Sequence, residues 1–519
     1  MKRKWRRLGC LVLALALAFG AGACSPEGSS STTQTQAVPD DPSVFYEIKI
    51  GMWDSAKWGN DEIGDYLNEK FNIKIVPVAL STVDYIEKLN ISAAGGTLPD
   101  MFMHPGYSGY TSTLIKWASE GVIKSLPNDL SAYPHLKAIM DEYDFMKVDG
   151  NHYFIPRTTF TDPANTYYTP ALWVRKDWMR NLGIEEAPTT LDGLYNLLER
   201  FTNGDPDQNG QNDTYGLTPG LNLEWVFFAH GIDITGYIQE DGQWIPGVLS
   251  KYNAEPIKFI KKMYDNNILD KDFATMKLAD SENNFCSGRA GVVYLVGESS
   301  PMQYVALAKL AAVNQGFNAA TDLDMLPPPE AEGKTYTCTQ NYNFAQGTMF
   351  NSDLSDEKMA RCLALYDYLL SEEGIELGRI GIENISYKKE GDTIVSLLPT
   401  DSTGQEKWIG DVFPTNQIYK LARWDADGAW VSPDIEPEFV TLAQKVRDLY
   451  GPKMNQKNPE IDFMSTPAKD RWNVSEFFWE NVFNMVLNSN DIDASWEEFR
   501  NTLLTEKNGQ KLIDEINQS

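Results

Sequence analysis

The chain predicts an α/β protein with a largely parallel sheet, and two observations near its start carry that reading. Short apolar runs alternate in order with helical stretches, the pattern of strands that return in the same direction. Each helical stretch also spaces its apolar residues so that one face can be buried. Glu47 to Met52 alternates as a first strand and runs into the loop WDSAKWGND. A helix from Asp61 to Phe71 turns Ile63, Leu67 and Phe71 inward, and Asn72 to Leu80 reads as the second strand. Ser81-Thr82 caps the next helix, and LPDMFM, beginning at Leu98, reads as the third strand. The loops Trp53–Asn60 and His104–Tyr110 then fall at the carboxyl ends of strands, where ligands sit in sheets of this kind.

Thr169 to Leu217 repeats the pattern with one addition. Leu172 to Val174 is a short apolar strand, and a charged helical turn follows as far as Gly183. Thr189 with Asp192 reads as a capping box. The helix behind it places Leu191, Leu194, Leu197, Leu198 and Phe201 on one face. It ends in DPDQNGQNDTYG, where Asp205, Asp207, Asn209 and Asp213 occupy positions 1, 3, 5 and 9 around Gly210 at position 6. That is the ligand spacing of an EF-hand loop, with Gln211 offering its backbone carbonyl at position 7, and it implies a structural Ca²⁺. Position 12 is Gly216 rather than a bidentate Glu, which excludes a regulatory EF-hand. The competing reading is an Asp/Asn-rich surface turn.

With 519 residues, 42% hydrophobic and 23% charged, the chain is globular and long enough for two or more domains. Lys2, Arg3, Lys4, Arg6 and Arg7 precede an apolar run from Leu8 to Ala21, shorter than the roughly 20 residues of a membrane span. Ala21-Gly22-Ala23-Cys24 resembles a bacterial lipobox, with Ala21 where Leu is usual; lipidation of Cys24 and a signal peptide over 1–23 follow. The polar stretch after it reads as a flexible tether over 24–43, holding the protein at the outer face of the cytoplasmic membrane. Loss of five positive charges with the signal carries the net charge from −28 to −33, which argues against nucleic acid. Cys286, Cys338 and Cys362 remain, an odd number without metal-like spacing, and read as buried thiols.

Catalytic motifs are missing. The four histidines, His104, His135, His152 and His230, are scattered without a zinc pattern, and Gly297-Glu-Ser-Ser-Pro301 lacks the closing glycine of a nucleophile elbow. Gly333-Lys334-Thr335 ends like a phosphate loop, but Pro328 stands where its first glycine is required. Seventy-three acidic residues leave chance carboxylate pairs open, since their separation is a three-dimensional property.

KLNISAAGGTLPDMFM, following the β-α-β-α order, resembles the extracellular solute-binding proteins of ABC transporters, the family that includes maltose-binding protein. Further motifs fall in that family's order: DGNHYFIPR from Asp149, LWVRKDWMRNLG with PTTLDGL, FCSGRAG from Phe285, LPPP from Leu326 with Gly333-Lys334, and YLLSEEG from Tyr368. The DPDQNGQNDTYG loop makes the chain similar to the longer, lipid-anchored members that bind alginate or pectin oligosaccharides.

The resemblance implies a two-lobe, hinged periplasmic-binding-protein fold, with lobe one over 44–165 and 322–390 and lobe two over 166–321 and 391–519. It implies an oligosaccharide ligand, ABC permease subunits as partners, a monomer, and no enzymatic activity. It also points to cleft residues: Trp53, Asp54 and Trp58; His104 and Tyr107; Arg157; Tyr294 and Glu298; with Trp225 as a weaker addition. Ring faces stack on sugars while charged and amide groups bond hydroxyls. Trp173 reads as core, and Val174 stands where relatives often present an aromatic contact. The rival readings are a secreted polysaccharide-degrading enzyme, or the same fold with peptide or other non-sugar cargo.

Overall fold

The computed structural model describes residues 35–518 apart from 54, 81–83, 105–109, 159–169, 315, 341–343, 392, 401, 403, 405, 424–435 and 457. Nine strands build two sheets: β1 (Tyr46–Trp53), β2 (Ile73–Leu80), β3 (Met101–His104), β4 (Ile155–Thr158), β5 (Pro170–Arg175), β6 (Tyr215–Thr218), β7 (Ala290–Val296), β8 (Leu323–Met325) and β9 (Phe344–Phe350). The first sheet has the order β2-β1-β3-β9-β4 and the second β8-β5-β7-β6. β1 runs parallel to β2 and β3, as the sequence predicts. β9, however, is antiparallel to both its neighbours. In the second sheet only β6 and β7 are parallel, while β5 lies antiparallel to β7 and β8. Each sheet is therefore mixed, because strands arriving from a different crossing enter in the opposite direction.

Alternation builds the first core: Ile48, Ile50 and Met52 of β1 are buried with Ile63 and Leu67 of the helix Glu62–Phe71. Asp61 caps that helix by accepting from the Gly64 N–H at 2.9 Å. In the second core Leu191, Leu194, Leu197, Leu198 and Phe201 of the helix Leu191–Asn203 pack with Trp173, Val174 and Trp178. The cap there is Thr190, whose hydroxyl accepts from the Gly193 N–H at 3.1 Å, one residue later than the sequence suggests. Thr189 and Leu191 both bond the backbone of Glu330, and that pairing decides between the two threonines.

The two cores redraw the lobe boundaries. Leu323, Met325, Leu326 and Tyr336 pack in the second core, although 322–390 reads as lobe one. Ile409, Phe413, Ile418, Leu421 and Ala422 pack in the first, although 391–519 reads as lobe two. β8 is held in the second sheet by its pairing with β5, and Thr415 ties its own segment to lobe one through the Gly59 N–H and the Asp61 carboxylate, both at 2.7 Å. The stretch 24–43 is also corrected, because its described end is not a free tether. Thr35 is buried and bonded to Ser125, and Asp40 accepts from the guanidinium of Arg361, which is 1% exposed. Among the described residues no helix is long and apolar enough to cross a membrane.

Candidate functional site

Among the described residues the chain changes core three times, after Thr158, after Gln340 and after Arg423. On the lobe-one side these crossings share one place: Thr158 pairs with Phe344 and also bridges to Arg423. On the lobe-two side Pro170 pairs with Val296, Gln340 with Gln456, and the Glu436 N–H donates to Gln303 at 2.6 Å.

At that end of the first sheet the predicted residues gather as a band. β1 ends on Trp53 and its parallel neighbour β3 on His104; Gly347 of β9 stands opposite His104, and Gln346 opposite Arg157 of β4. The Arg157 guanidinium lies over the Trp53 ring at 5.6 Å and donates to the Lys420 carbonyl at 2.9 Å. Trp53 is half-buried and meets Tyr85 edge-on at 5.7 Å. His104 is 5% exposed with its ring edge-on to Trp117, and burial holds its pKa down to about 4, so the imidazole is neutral. Arg157 is 1% exposed and bonded to the segment Pro414–Leu421 through the Lys420 carbonyl, a segment the sequence reading assigned to the other lobe. Asp54 and Tyr107 lie outside the described residues, as does Cys24.

Lobe two offers a smaller set beside the end of β7. The Leu221 N–H donates to the Tyr294 carbonyl at 2.8 Å, which brings the loop after β6 alongside. Asn222 and Glu224 hydrogen-bond each other there, and Glu298 is half-buried at the end of the β7 loop. Burial, opposed by the Asn222 hydrogen bond and reinforced by Asp233, pushes the Glu224 carboxyl up to about 7. Three expected contacts are corrected to core. Trp225 is fully buried, Tyr294 is 1% exposed on a central strand among Tyr336 and Glu224, and Trp58 is 1% exposed in the first core. Sequence reasoning missed Glu224, although it chose the next residue. Trp408 is 55% exposed with the Lys420 ammonium 5.6 Å from its ring.

The acidic loop is folded around one amide. The Asp205 carboxylate accepts from the Asn209 and Gly210 N–H groups at 3.0 and 3.1 Å. Asn209 Nδ2 donates to Asp207 at 2.8 Å and Asp213 at 3.3 Å, and the Gln211 N–H donates to Asn209 Oδ1 at 2.7 Å. Gly210 supplies the turn with φ 77°. Burial, then the Asp213 and Asp205 carboxylates, push the Asp207 carboxyl above its ordinary value, the mark of acids crowded together. Among the described residues no three His, Cys, Asp or Glu side chains are grouped closely enough to hold a metal ion. In this loop the Asn209 NH₂ bridges two of the carboxylates. At position 12 a Cβ on Gly216 would meet the Leu198 carbonyl oxygen at 2.4 Å, so no side chain fits there.

A family model described as bacterial extracellular solute-binding protein matches residues 56–375. The polygalacturonan/rhamnogalacturonan-binding protein YtcQ of Bacillus subtilis (strain 168) is 24% identical over 495 residues, covering 92% of this chain and 89% of that protein. The crystal structure of alginate-binding protein AlgQ2 without calcium ion matches with a TM-score of 0.63 at 19% identity, covering 93% of this chain and 99% of that one. An EF-hand mutant of the S. pneumoniae substrate-binding protein FusA, in complex with fructo-nystose, matches with a TM-score of 0.62 at 19% identity, covering 92% and 98%.

Proposed function

The chain belongs to the bacterial extracellular solute-binding protein family, and from that premise we propose that it is the lipid-anchored capture component of an ABC importer for oligosaccharides. The observation that carries the reading is two separate cores joined by three crossings that meet at Thr158, Phe344 and Arg423. Crossings that meet at one place can flex as a hinge while each lobe stays rigid. A sugar touching Trp53, behind which His104 and Arg157 are buried, and the Asn222–Glu224–Glu298 rim together would favour the closed form, shifting the population toward it. The permease would then recognise the closed outline. Relatives named for polygalacturonan, alginate and a fructo-oligosaccharide support a carbohydrate cargo. Cys24 would carry the diacylglycerol.

Asp205, Asp207, Asn209 and Asp213, with the backbone carbonyl of Gln211, would hold a structural calcium. A half-turn of the Asn209 amide replaces its donor with an oxygen and leaves an all-oxygen set, which suits a hard cation. Bound calcium would offset two of the three carboxylate charges at the turn between the helix Leu191–Asn203 and β6.

The test is a thermal-shift screen of the purified protein across plant and host oligosaccharides with peptides as controls, followed by calorimetry on the hits. Stabilisation by a sugar without new reducing ends is the expected result. Release of reducing ends would establish an enzyme instead, and stabilisation by peptides alone would replace the cargo.

A further inference from the structure

Two aromatic rings meet across the boundary between the lobes, apart from the Trp53 band. Phe145 follows the helix Pro134–Glu142 of lobe one, and Phe463 lies beyond Gln456 on a segment of lobe two. Their ring centres are 5.1 Å apart with the planes inclined at 59°. We propose that this contact is a clasp that holds the lobes parted in the sugar-free protein and is given up on closure. It then sets how tightly cargo is held without touching it. The inference rests on the hinged, two-lobe reading above and concerns a surface outside the cleft.

Three features carry it. The first is the fixed turn that presents Phe463. The carbonyls on either side of it, of Asp462 and Met464, both accept from the Lys469 ammonium, at 2.5 and 2.8 Å. Asn458 caps the short helix Pro459–Asp462 by accepting from the Glu460 N–H at 3.0 Å. Ile461 and Ala468 are buried with Leu512 and Ile516 of the last helix, and the Ala468 N–H donates to Glu515 at 2.9 Å. Asn517 of that helix bonds the backbone of Trp244 at 2.9 and 2.8 Å, next to Ile245 of the second core. The segment is therefore fastened to lobe two, yet the Phe463 ring packs against the first core. A ring held this way loses little freedom when it makes a contact.

The second is where the contact lies. Rings run in series from Phe463 to Phe145, on to Tyr143 at 5.8 Å and to Phe344 at 5.4 Å. Phe344 pairs with Thr158, where the crossings meet, and Arg157 beside Thr158 reaches Trp53. The crossings thus stand between Trp53 and Phe145. Sheet order agrees, for Trp53 ends β1, whereas the crossings join β9 and the edge strand β4, on which the helix Pro134–Glu142 packs. A rotation about the crossings that carries Trp53 towards Asn222 and Glu224 draws Phe145 away from Phe463.

The third is the form the structure holds. Among the described residues no hydrogen bond or ring contact joins Trp53 to Asn222 or Glu224, while Phe145 and Phe463 touch. An edge-tilted aromatic pair stabilises the form that makes it, and a ligand of the closed form binds in proportion to the fraction closed.

Single-molecule energy transfer between one dye on each lobe of the sugar-free full chain tests the clasp, with Phe145→Ala, Phe463→Ala and the double variant. Phe145 is 37% exposed, so its truncation spares the first core. Each single variant should raise the closed fraction about fivefold, and the double variant should add nothing further, because both remove one contact. Calorimetry with a galacturonate trisaccharide should show binding tightened about fivefold as well. A closed fraction unchanged in both single variants overturns the clasp. A fall also overturns it, since the contact would then belong to the closed form, and so does a double variant whose effects simply add. A raised closed fraction with no binding of the trisaccharide supports the clasp and removes that sugar as cargo.

Discussion

At the residue scale, two titrating groups, His104 buried and Glu224 half-buried, give the chain opposite responses to pH. The folded protein holds the Glu224 proton more tightly than the unfolded chain does, so this group's contribution falls as pH rises from about 4.5 to about 7. His104 acts in the other direction: its pKa is pushed from 6.5 to about 4, so stability is lost as pH falls through that window. Glu224→Gln should therefore raise the melting temperature at pH 8 and leave it unchanged at pH 4. His104→Gln should flatten the acid limb between pH 6.5 and 4. Thermal melts of the sugar-free protein across pH 4 to 8 check both. Arg361 is a further single-residue dependence. Its guanidinium serves the Asp40 carboxylate and the carbonyls of Asp41, Val44, Phe71 and Asn72. Arg361→Ala leaves the partly buried Asp40 carboxylate and these carbonyls without their donor and should cost about 1.5–3 kcal/mol, read in the denaturant unfolding of lobe one.

At the element scale, the helix-to-strand turn at Asp205–Gly216 makes two predictions. A chelator should lower the melting temperature of calcium-loaded protein, and added calcium should restore it; an unmoved transition would remove calcium from the turn. Gly216→Glu, which on paper completes the EF-hand, should lower stability instead of tightening calcium. Its Cβ would strike the Leu198 backbone, and helix and strand cannot part without opening the second core. Circular-dichroism melts with and without calcium separate these outcomes. Elements were also the most legible part of the sequence. The period of Leu191, Leu194, Leu197, Leu198 and Phe201 found both the helix and its buried face, since local pattern and burial agree there. The exact cap did not follow, because Glu330, more than a hundred residues away, selects Thr190 over Thr189. The hairpin Tyr237–Glu240 with Gln243–Pro246 passed unread although Asp241-Gly242, both at positive φ, is a strong turn signal.

At the scale of the whole molecule, hydrophobic pattern marks what is buried but not against which core. This is why Ile409 to Ala422 was assigned to the wrong lobe, and why Trp58, Trp225 and Tyr294 could not be told from cleft aromatics. That Trp53 and His104 close β1 and β3 was legible, because local pattern marks where a strand ends. The place of Glu224 was not, since it depends on how distant segments dock. Trp53→Ala should lower affinity for a bound oligosaccharide by about tenfold, the size of one lost stacking contact, and small-angle scattering should then need more sugar to reach the compact form.

The clamp around Arg361 has a mechanical consequence. Among the described residues, Thr35, Asp40 and Asp41 are fastened to one lobe, through Ser125 and Arg361. Any load entering the chain at Thr35 ends on that half, and the other half keeps its full travel. If the proposed lipid anchor holds the chain, a mooring nearer Pro170 or Glu436 would brake every swing, whereas one here would leave the jaw free.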